Sequence, residues 1–230
     1  MTVRIEAMMT SSSRNSNKRI IQELRGIESR FKGQVSLKIF EMDSGGLVDE
    51  SLLTNGILGQ TNTAIFIEGV RLETSDDIMR DFASIVSKDT DLACRTVILG
   101  GLRKVAVVGA SRNEDKPANY VPQYLSENGF EIFPVNPNAG GAVLFGRKCA
   151  GKLSDLEGKS MVDVVNVFRP AREIDGVVDD AIRLKGIAAI WVQSGIKVSD
   201  ETIEKAVNAG IIMIIDECMM TRAEDLLHET

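Results

Sequence analysis

The sequence predicts an α/β protein with a five-stranded, parallel, doubly wound sheet in its second half, preceded by a smaller α/β unit. In the second half, short apolar runs alternate with amphipathic helical segments, the pattern of a parallel sheet covered by helices on both faces. The composition also changes along the chain, because all five prolines lie between Pro117 and Pro170. We therefore expect one unit at 1–90, a connection at 91–102 and a second unit at 103–230.

Composition excludes several classes of protein. The net charge of −6, without a run rich in lysine or arginine, argues against nucleic acid and anionic membranes as partners. Neither an apolar stretch of about 18 residues nor a secretory signal pattern is seen, so we expect a cytoplasmic protein. Three scattered cysteines, Cys94, Cys149 and Cys218, suit a reducing compartment and form no CxxC pair. The single histidine, His228, excludes a histidine-rich metal site.

The first unit has the predicted order β-α-β-α-β-β-α. Apolar residues at helical spacing between Ile20 and Phe31 indicate the first helix, and Glu68-Gly69 indicates a hairpin turn. Ser75 is positioned to cap the last helix. The predicted strands are 3–9, 35–40, 63–67 and 70–73, and the second predicted helix is 49–58.

Residues 1–90 resemble a thioredoxin-like domain in this order of elements. In that family a CxxC motif follows the first strand, whereas this chain has Ser13-Arg14-Asn15-Ser16 there. Thr63 stands where the family places a cis-proline. The resemblance implies a scaffold or docking surface without thiol–disulfide exchange. The alternative interpretation of the serine-rich stretch is a solvated loop that caps a helix.

The second unit has five predicted strands, and its fold is expected to be Rossmann-like with strand order 3-2-1-4-5. Glycine or proline closes several of these elements. The predicted strands are 104–109, 130–137, 162–168, 188–193 and 211–215, and the helices are 119–128, 173–184 and 200–208.

Ligands of such folds bind at the carboxyl ends of the strands, so the residues that follow each strand are informative. Gly109 permits a tight turn after the first strand, but it is only one glycine of the GxGxxG pattern. The second strand ends at Asn136-Pro137, where an NAD site has a carboxylate for the ribose. Arg147 and Lys148 beside Gly146, with Arg169 after the third strand, suit a ligand with several phosphates, such as coenzyme A (CoA).

Residues 103–227 resemble the family of small proteins built from a CoA-binding domain, related in fold to the nucleotide domain of succinyl-CoA synthetase α subunits. Six blocks of sequence carry the resemblance in the family's order. They are 105–111 (VAVVGAS), 133–137 (FPVNP), 146–149 (GRKC), 162–170 (VDVVNVFRP), 191–195 (WVQSG) and 216–220 (DECMM).

This resemblance implies a set of site residues in three groups. The diphosphate is expected at Gly109, Ala110, Ser111 and Arg112, with further phosphate contacts from Gly146, Arg147 and Lys148. The adenine–ribose end is expected at Val135, Asn136 and Pro137, and the pantetheine at Phe168, Arg169, Gln193 and Gly195. Many relatives have lysine where this chain has Asn138, so that contact is either lost or supplied by Lys116.

Three hypotheses for function remain open at this point. The favoured one is a cytosolic, non-catalytic CoA or acyl-CoA binding protein, a sensor or regulator, with 1–90 serving self-association or a protein partner. The second is an enzyme of CoA-linked thiol–disulfide chemistry that uses Cys149 or Cys218, the former activated by Arg147 and Lys148. The third is an NAD(P)-binding protein. The synthetase reaction itself is not expected, because the resemblance implies a phosphorylated histidine from a second domain and a further subunit, whereas the single histidine here is His228.

Overall fold

The computed structural model describes residues 2–10, 14–42, 63–72, 77–158 and 161–228. The strands within these ranges are β1 (Val3–Thr10), β2 (Val35–Met42), β3 (Thr63–Ile67), β4 (Val70–Arg71), β5 (Lys104–Val108), β6 (Glu131–Val135), β7 (Val143–Leu144), β8 (Arg147–Lys148), β9 (Val164–Val167), β10 (Ala189–Val192) and β11 (Ile212–Ile215). The helices are α1 (Arg14–Arg30), α2 (Ile78–Ser87), α3 (Thr90–Ile98), α4 (Pro117–Glu127), α5 (Ala171–Leu184), α6 (Asp200–Asn208) and α7 (Met219–His228).

The N-terminal sheet has the order β2-β1-β3-β4. Strands β1 and β2 are parallel, whereas β3 lies antiparallel to both β1 and β4. The predicted turn at Glu68-Gly69 is confirmed, since both residues have a positive φ. The helix predicted after Ser75 begins at α2, where the Asp77 carboxylate accepts a hydrogen bond from the Arg80 N–H. The predicted helix at 49–58, Ser75 and Ser13 lie outside the described residues. The thioredoxin-like resemblance therefore stays a prediction.

The connection between the two sheets is helical and buried. Helix α3 covers most of residues 91–102 and is capped by the Asp89 carboxylate, which accepts the Leu92 N–H at 3.1 Å. Both α2 and α3 pack against β11, and the Ser87 hydroxyl accepts a hydrogen bond from the Met213 N–H at 3.0 Å. This segment is therefore part of the core.

The second sheet is parallel throughout and has the order β11-β10-β9-β5-β6. The predicted doubly wound fold is confirmed, but the predicted order 3-2-1-4-5 is wrong, because the strands lie in the order 2-1-3-4-5. The outer edge of β6 pairs with Ala150. The Ala150 N–H donates to the Pro134 carbonyl, and the Ala150 carbonyl accepts a hydrogen bond from the Asn136 N–H. Strand β9, the third strand of this unit in chain order, pairs with the other edge of β5.

The two faces of the parallel sheet pack into different cores. Val107 and Trp191 lie in a buried cluster that continues through α3 into the N-terminal sheet. Ala106 and Val165 lie in a second cluster, which is covered by α5 and α6. No helix in the described part of the chain is long and apolar enough to cross a bilayer.

The shared core predicts that the two sheets unfold together. Ile98 is fully buried on α3, so Ile98→Ala should lower the free energy of unfolding by about 2–5 kcal/mol. Urea unfolding followed by circular dichroism should show a single, shifted transition. Met161→Ala is the control, since Met161 is 78% exposed and its loss should change stability by about 0.5 kcal/mol or less. Two separate transitions, with only one of them shifted, would contradict a shared core.

Candidate ligand site at the carboxyl edge of the parallel sheet

The loops that follow β5 and β9 meet at the point where the strand order reverses. Gly109 follows β5 with a φ of +99°, a conformation that glycine adopts readily. A Cβ at this position would lie 3.0 Å from Arg169 Cδ and 3.0 Å from the Phe168 carbonyl oxygen. A side chain at Gly109 would therefore push the two loops apart. In doubly wound folds, ligands bind at this switch point.

The loop after Gly109 is held by hydrogen bonds to two neighbouring segments. The Ser111 N–H donates to the Ala118 carbonyl at 3.0 Å, and the Asn119 side chain donates to the Ser111 carbonyl at 2.8 Å. The Asn136 side chain donates to the Ala110 carbonyl at 2.7 Å. The loop is thus fixed at the N-terminus of α4, which begins at Lys116-Pro117 and has no side-chain cap. A helix N-terminus of this kind favours an anion.

A cleft of about 450 Å³ runs from Gly109 along α5. It includes the predicted residues Val135, Pro137 and Arg169, and it adds two cations that sequence analysis missed, Lys152 and Arg183. Arg183 lies near the end of a helix, so a search of strand ends alone does not find it. The full lining is Val108, Gly109, Val135, Pro137, Gly151, Lys152, Leu153, Arg169, Glu173, Gly176, Val177, Asp179, Asp180 and Arg183.

Several arginines near the cleft, both predicted and newly found, are already engaged by carboxylates. Arg169 donates to Glu173 at 2.7 Å, and Arg183 lies 3.2 Å from Asp180. Arg147 pairs with Glu131, at the amino end of β6, and its guanidinium lies 4.5 Å from the centre of the Phe133 ring. The structure therefore does not bring Arg147 to Gly109.

The adjoining Lys148 is exposed on β8. An ideal Cβ on Gly141 would lie 3.9 Å from its Cε. The Lys148 side chain therefore lies close to Gly141, which precedes β7, and Gly146 lies in the turn of the β7–β8 hairpin.

The Asn136 side chain holds backbone groups. Besides donating to Ala110, it accepts a hydrogen bond from the Asn138 N–H at 2.9 Å. Its role is therefore to position the two loops that border the cleft, while Val135 and Pro137 form the wall.

The polar groups that follow β10 also form hydrogen bonds within the chain. The Gln193 side chain is buried and donates to Asn166 Oδ1 at 2.7 Å. The Gly195 N–H donates to the Asp216 carboxylate at 2.7 Å. Within the described residues, Nδ2 of Asn166 is buried without a hydrogen-bond partner. Phe168 is half-buried against the core, and Gln193 and Gly195 are not among the residues that line the cleft along α5.

Two of the cysteines, Cys94 and Cys149, are poorly suited to nucleophilic chemistry. Cys149 is 3% exposed, and burial raises the pKa of its thiol, with smaller opposing effects from the Asn136 backbone and the Arg112 charge. The prediction that Arg147 and Lys148 lower this pKa is wrong, because Arg112 is the cation that acts on the thiol. Burial also raises the pKa of the Cys94 thiol to about 11. Among the described residues, no group of three histidine, cysteine, aspartate or glutamate side chains is arranged to hold a metal ion.

The sheet order and the glycine turn at its switch point define a doubly wound, Rossmann-like domain. The family model described as "CoA binding domain" matches residues 103–224, and this chain belongs to that family. The resemblance predicted for 103–227 is thereby confirmed.

Two curated proteins align with this part of the chain. The uncharacterized protein YneT of Bacillus subtilis (strain 168) is 31% identical over 122 residues, which are 53% of this chain and 86% of YneT. Acetate–CoA ligase [ADP-forming] II of Archaeoglobus fulgidus is 36% identical over 96 residues, which are 40% of this chain and 14% of the ligase. The similarity to the ligase therefore extends over a small part of that enzyme.

Solved structures show the same domain. Cell-free ID.343 from Thermus thermophilus has a TM-score of 0.55 at 35% identity and covers 60% of this chain and 99% of its own. A hypothetical protein from Pyrococcus horikoshii OT3 has a TM-score of 0.55 at 32% identity and covers 62% of this chain and 95% of its own.

The close approach at Gly109 makes a specific prediction for stability. Gly109→Ala should destabilise the protein by about 1–3 kcal/mol, because alanine is strained at this φ and its Cβ meets Phe168 and Arg169. Gly129→Ala is the matched control, since Gly129 has a φ of +84° but open space around its Cβ position. Urea unfolding should show a larger loss for Gly109→Ala. Equal losses would mean that the contact with the β9 loop has no energetic effect.

The Cys94 thiol predicts a loss of stability at alkaline pH. Its pKa rises from 9.0 in the unfolded chain to about 11 in the folded protein. Between pH 9 and 11 the thiol is therefore ionised more fully in the unfolded chain, and the free energy of unfolding falls as the pH rises. Below pH 9 this group should contribute no pH dependence. Cys94→Ala should weaken the fall, whereas Cys218→Ala should leave it intact. Urea unfolding at pH 8, 9 and 10 measures the effect, and an unchanged slope in Cys94→Ala would contradict it.

Proposed function

We propose that this protein binds CoA or an acyl-CoA without turning it over, as a cytosolic binding, sensing or regulatory protein. The observation that carries the proposal is membership of the CoA binding domain family over residues 103–224. The glycine turn at the switch point supports it, since it allows a ligand to approach the backbone closely.

The donor groups near the turn fit a ligand with a diphosphate and a third phosphate. The loop from Gly109 to Arg112 is held at the N-terminus of α4, and Lys116 immediately precedes that helix. We place the diphosphate there. Lys152, Arg169 and Arg183 line the adjoining cleft, which also contains Val135 and Pro137. Arginine suits bidentate phosphate contacts and lysine supplies a point charge. We place the phosphorylated adenosine in this cleft.

Binding there requires an exchange of ion pairs. Arg169 and Arg183 are held by Glu173 and Asp180, so a phosphate must compete with these carboxylates. Arg183 is largely exposed and Asp180 is partly exposed, and solvent-accessible pairs of this kind contribute little to stability. Breaking the pair between Arg183 and Asp180 therefore costs little free energy. Glu173 competes more strongly with a phosphate for Arg169.

The absence of thiol chemistry at Cys149 is inferred from the state of that thiol. The raised pKa of Cys149 keeps its thiol protonated at neutral pH, and the thiolate is the reactive form. The match to the acetate–CoA ligase covers 14% of that enzyme, so one shared domain gives no support for the complete reaction. NAD(P) is disfavoured because Asn136 occupies the position of the ribose-binding carboxylate and its amide is used within the chain. We assign association with a partner or a second copy to residues 1–90.

Calorimetric titration tests the proposal. CoA should bind saturably, more weakly at high salt, whereas NAD should give no binding heat. Arg112→Gln should weaken CoA binding about 10-fold or more, the usual effect of losing a charge-assisted hydrogen bond. Lys32→Gln removes an exposed charge next to α1 and should leave the affinity unchanged. Heat with NAD but none with CoA would overturn the proposal.

A further inference from the structure

Helix α5 has a glycine in its interior that the packing of the protein does not explain. Gly176 lies well inside this helix, which runs from Ala171 to Leu184. No atom of the described residues lies within 4 Å of an ideal Cβ at Gly176, and its φ is not in the positive range. A glycine inside a helix destabilises it relative to alanine, because glycine loses more backbone entropy on folding. The reason for a glycine at this position therefore lies outside the packing of the free protein.

Gly176 faces the cleft of about 450 Å³ that runs along α5. Glu173, Gly176, Asp180 and Arg183 line this cleft at spacings of three and four residues, so they lie on one face of the helix. A side chain at position 176 would project from the middle of this face into the open space. The absence of a side chain at Gly176 therefore widens the cleft at its centre.

Apolar groups surround the open space beside Gly176. Val177 adjoins it on α5, and Pro137 and Leu153 belong to the other walls of the cleft. Leu153 is buried in the same core as Val178 of α5, so the two walls are joined at their base. A slot with apolar walls suits a flat ring system, which contacts both walls at once.

Charged groups lie on both sides of Gly176 along the helix. The pair of Arg169 with Glu173 lies about one turn before it, and the pair of Arg183 with Asp180 begins about one turn after it. A nucleotide combines phosphates with a flat base, so it can use these cations and the apolar slot together. A phosphate alone leaves the slot empty.

We propose that Gly176 is a specificity-determining residue of the candidate site. The space left by its missing side chain holds the adenine ring of CoA flat against α5, and a larger residue there excludes the nucleotide half of the ligand. One face of the ring contacts the Gly176 backbone and Val177, and the other face contacts the wall that contains Leu153. This inference rests on the proposed function, which places the phosphorylated adenosine in this cleft.

Calorimetry with CoA on Gly176→Leu and Gly176→Ala tests the inference. Gly176→Leu should weaken CoA binding about tenfold or more, because the excluded ring loses its buried apolar contacts. Gly176→Ala should weaken binding by less, since one methyl group fills only part of the space. Both variants should raise the melting temperature of the free protein, because leucine and alanine favour a helix more than glycine does. Opposite effects on stability and affinity distinguish a ligand contact from a loss of folding.

Gly26→Leu is the matched control. Gly26 lies inside α1, and its ideal Cβ likewise has no atom of the described residues within 4 Å. It borders a different cleft, at α1 and the start of α2, none of whose described lining residues belongs to the cleft along α5. Gly26→Leu should gain thermal stability in the same way and keep the CoA affinity of the wild type.

Saturation-transfer NMR locates the base directly. The adenine H2 and H8 protons of CoA should receive strong saturation from the wild-type protein. In Gly176→Leu the saturation of these protons should fall relative to that of the pantetheine methyl groups. Adenine protons that receive no saturation from the wild type would overturn the inference.

The calorimetric outcomes separate this inference from the proposed function. If CoA does not bind to the wild type, the proposed function fails, and this inference fails with it. If CoA binds equally well to the wild type and to Gly176→Leu, the adenine slot is overturned and the proposed function stands. An equal loss of affinity in Gly26→Leu also overturns the slot, because the effect then does not depend on the cleft along α5.

Discussion

The pairing of β9 with β5 is the contact on which the candidate site depends. The outer edge of β6, where β9 would lie in the order 3-2-1-4-5, instead forms two backbone hydrogen bonds with Ala150. The β5–β9 pairing places the switch point between these two strands and brings Gly109 against Phe168 and Arg169. The segment that contains Ala150 also contains Lys152, which lines the cleft along α5. The β5–β9 pairing therefore brings together the two loops of the switch point, and the segment after β6 adds a further wall of the candidate site.

Local sequence patterns predicted the helices and strands of this domain. The features that they did not predict depend on contacts between segments distant in sequence. The apolar runs, the closing glycines and the turn at Gly109 depend on residues close in sequence, and the structure shows each element. The strand order depends on which strand edge β9 pairs with, a contact between segments distant in sequence that no local pattern records. The pairing of Arg147 with Glu131 depends likewise on a contact between segments, and it holds Arg147 at the amino end of β6. The left-handed conformation of Phe145 could not be predicted because a phenylalanine gives no signal for it.

Two kinds of restraint prepare the candidate site. The loop from Gly109 to Arg112 is held by backbone and amide hydrogen bonds, so it need not be ordered by a ligand. The neighbouring arginines are held by carboxylates, which keep them in place but must be displaced by phosphate. The first restraint lowers the entropic cost of binding, and the second raises its electrostatic cost.

The contact of Ser87 with Met213 has a consequence for shortened forms of the chain. Strand β11 is the edge of the parallel sheet, and Ser87, α2 and α3 lie against it. A chain cut near residue 103 would expose this edge and the apolar side chains of Ile212 and Ile214, which are buried in the intact protein. Such edges promote aggregation or pairing with a second chain. A free-standing 103–230 fragment would therefore need a replacement cover, and its solubility would depend on self-association.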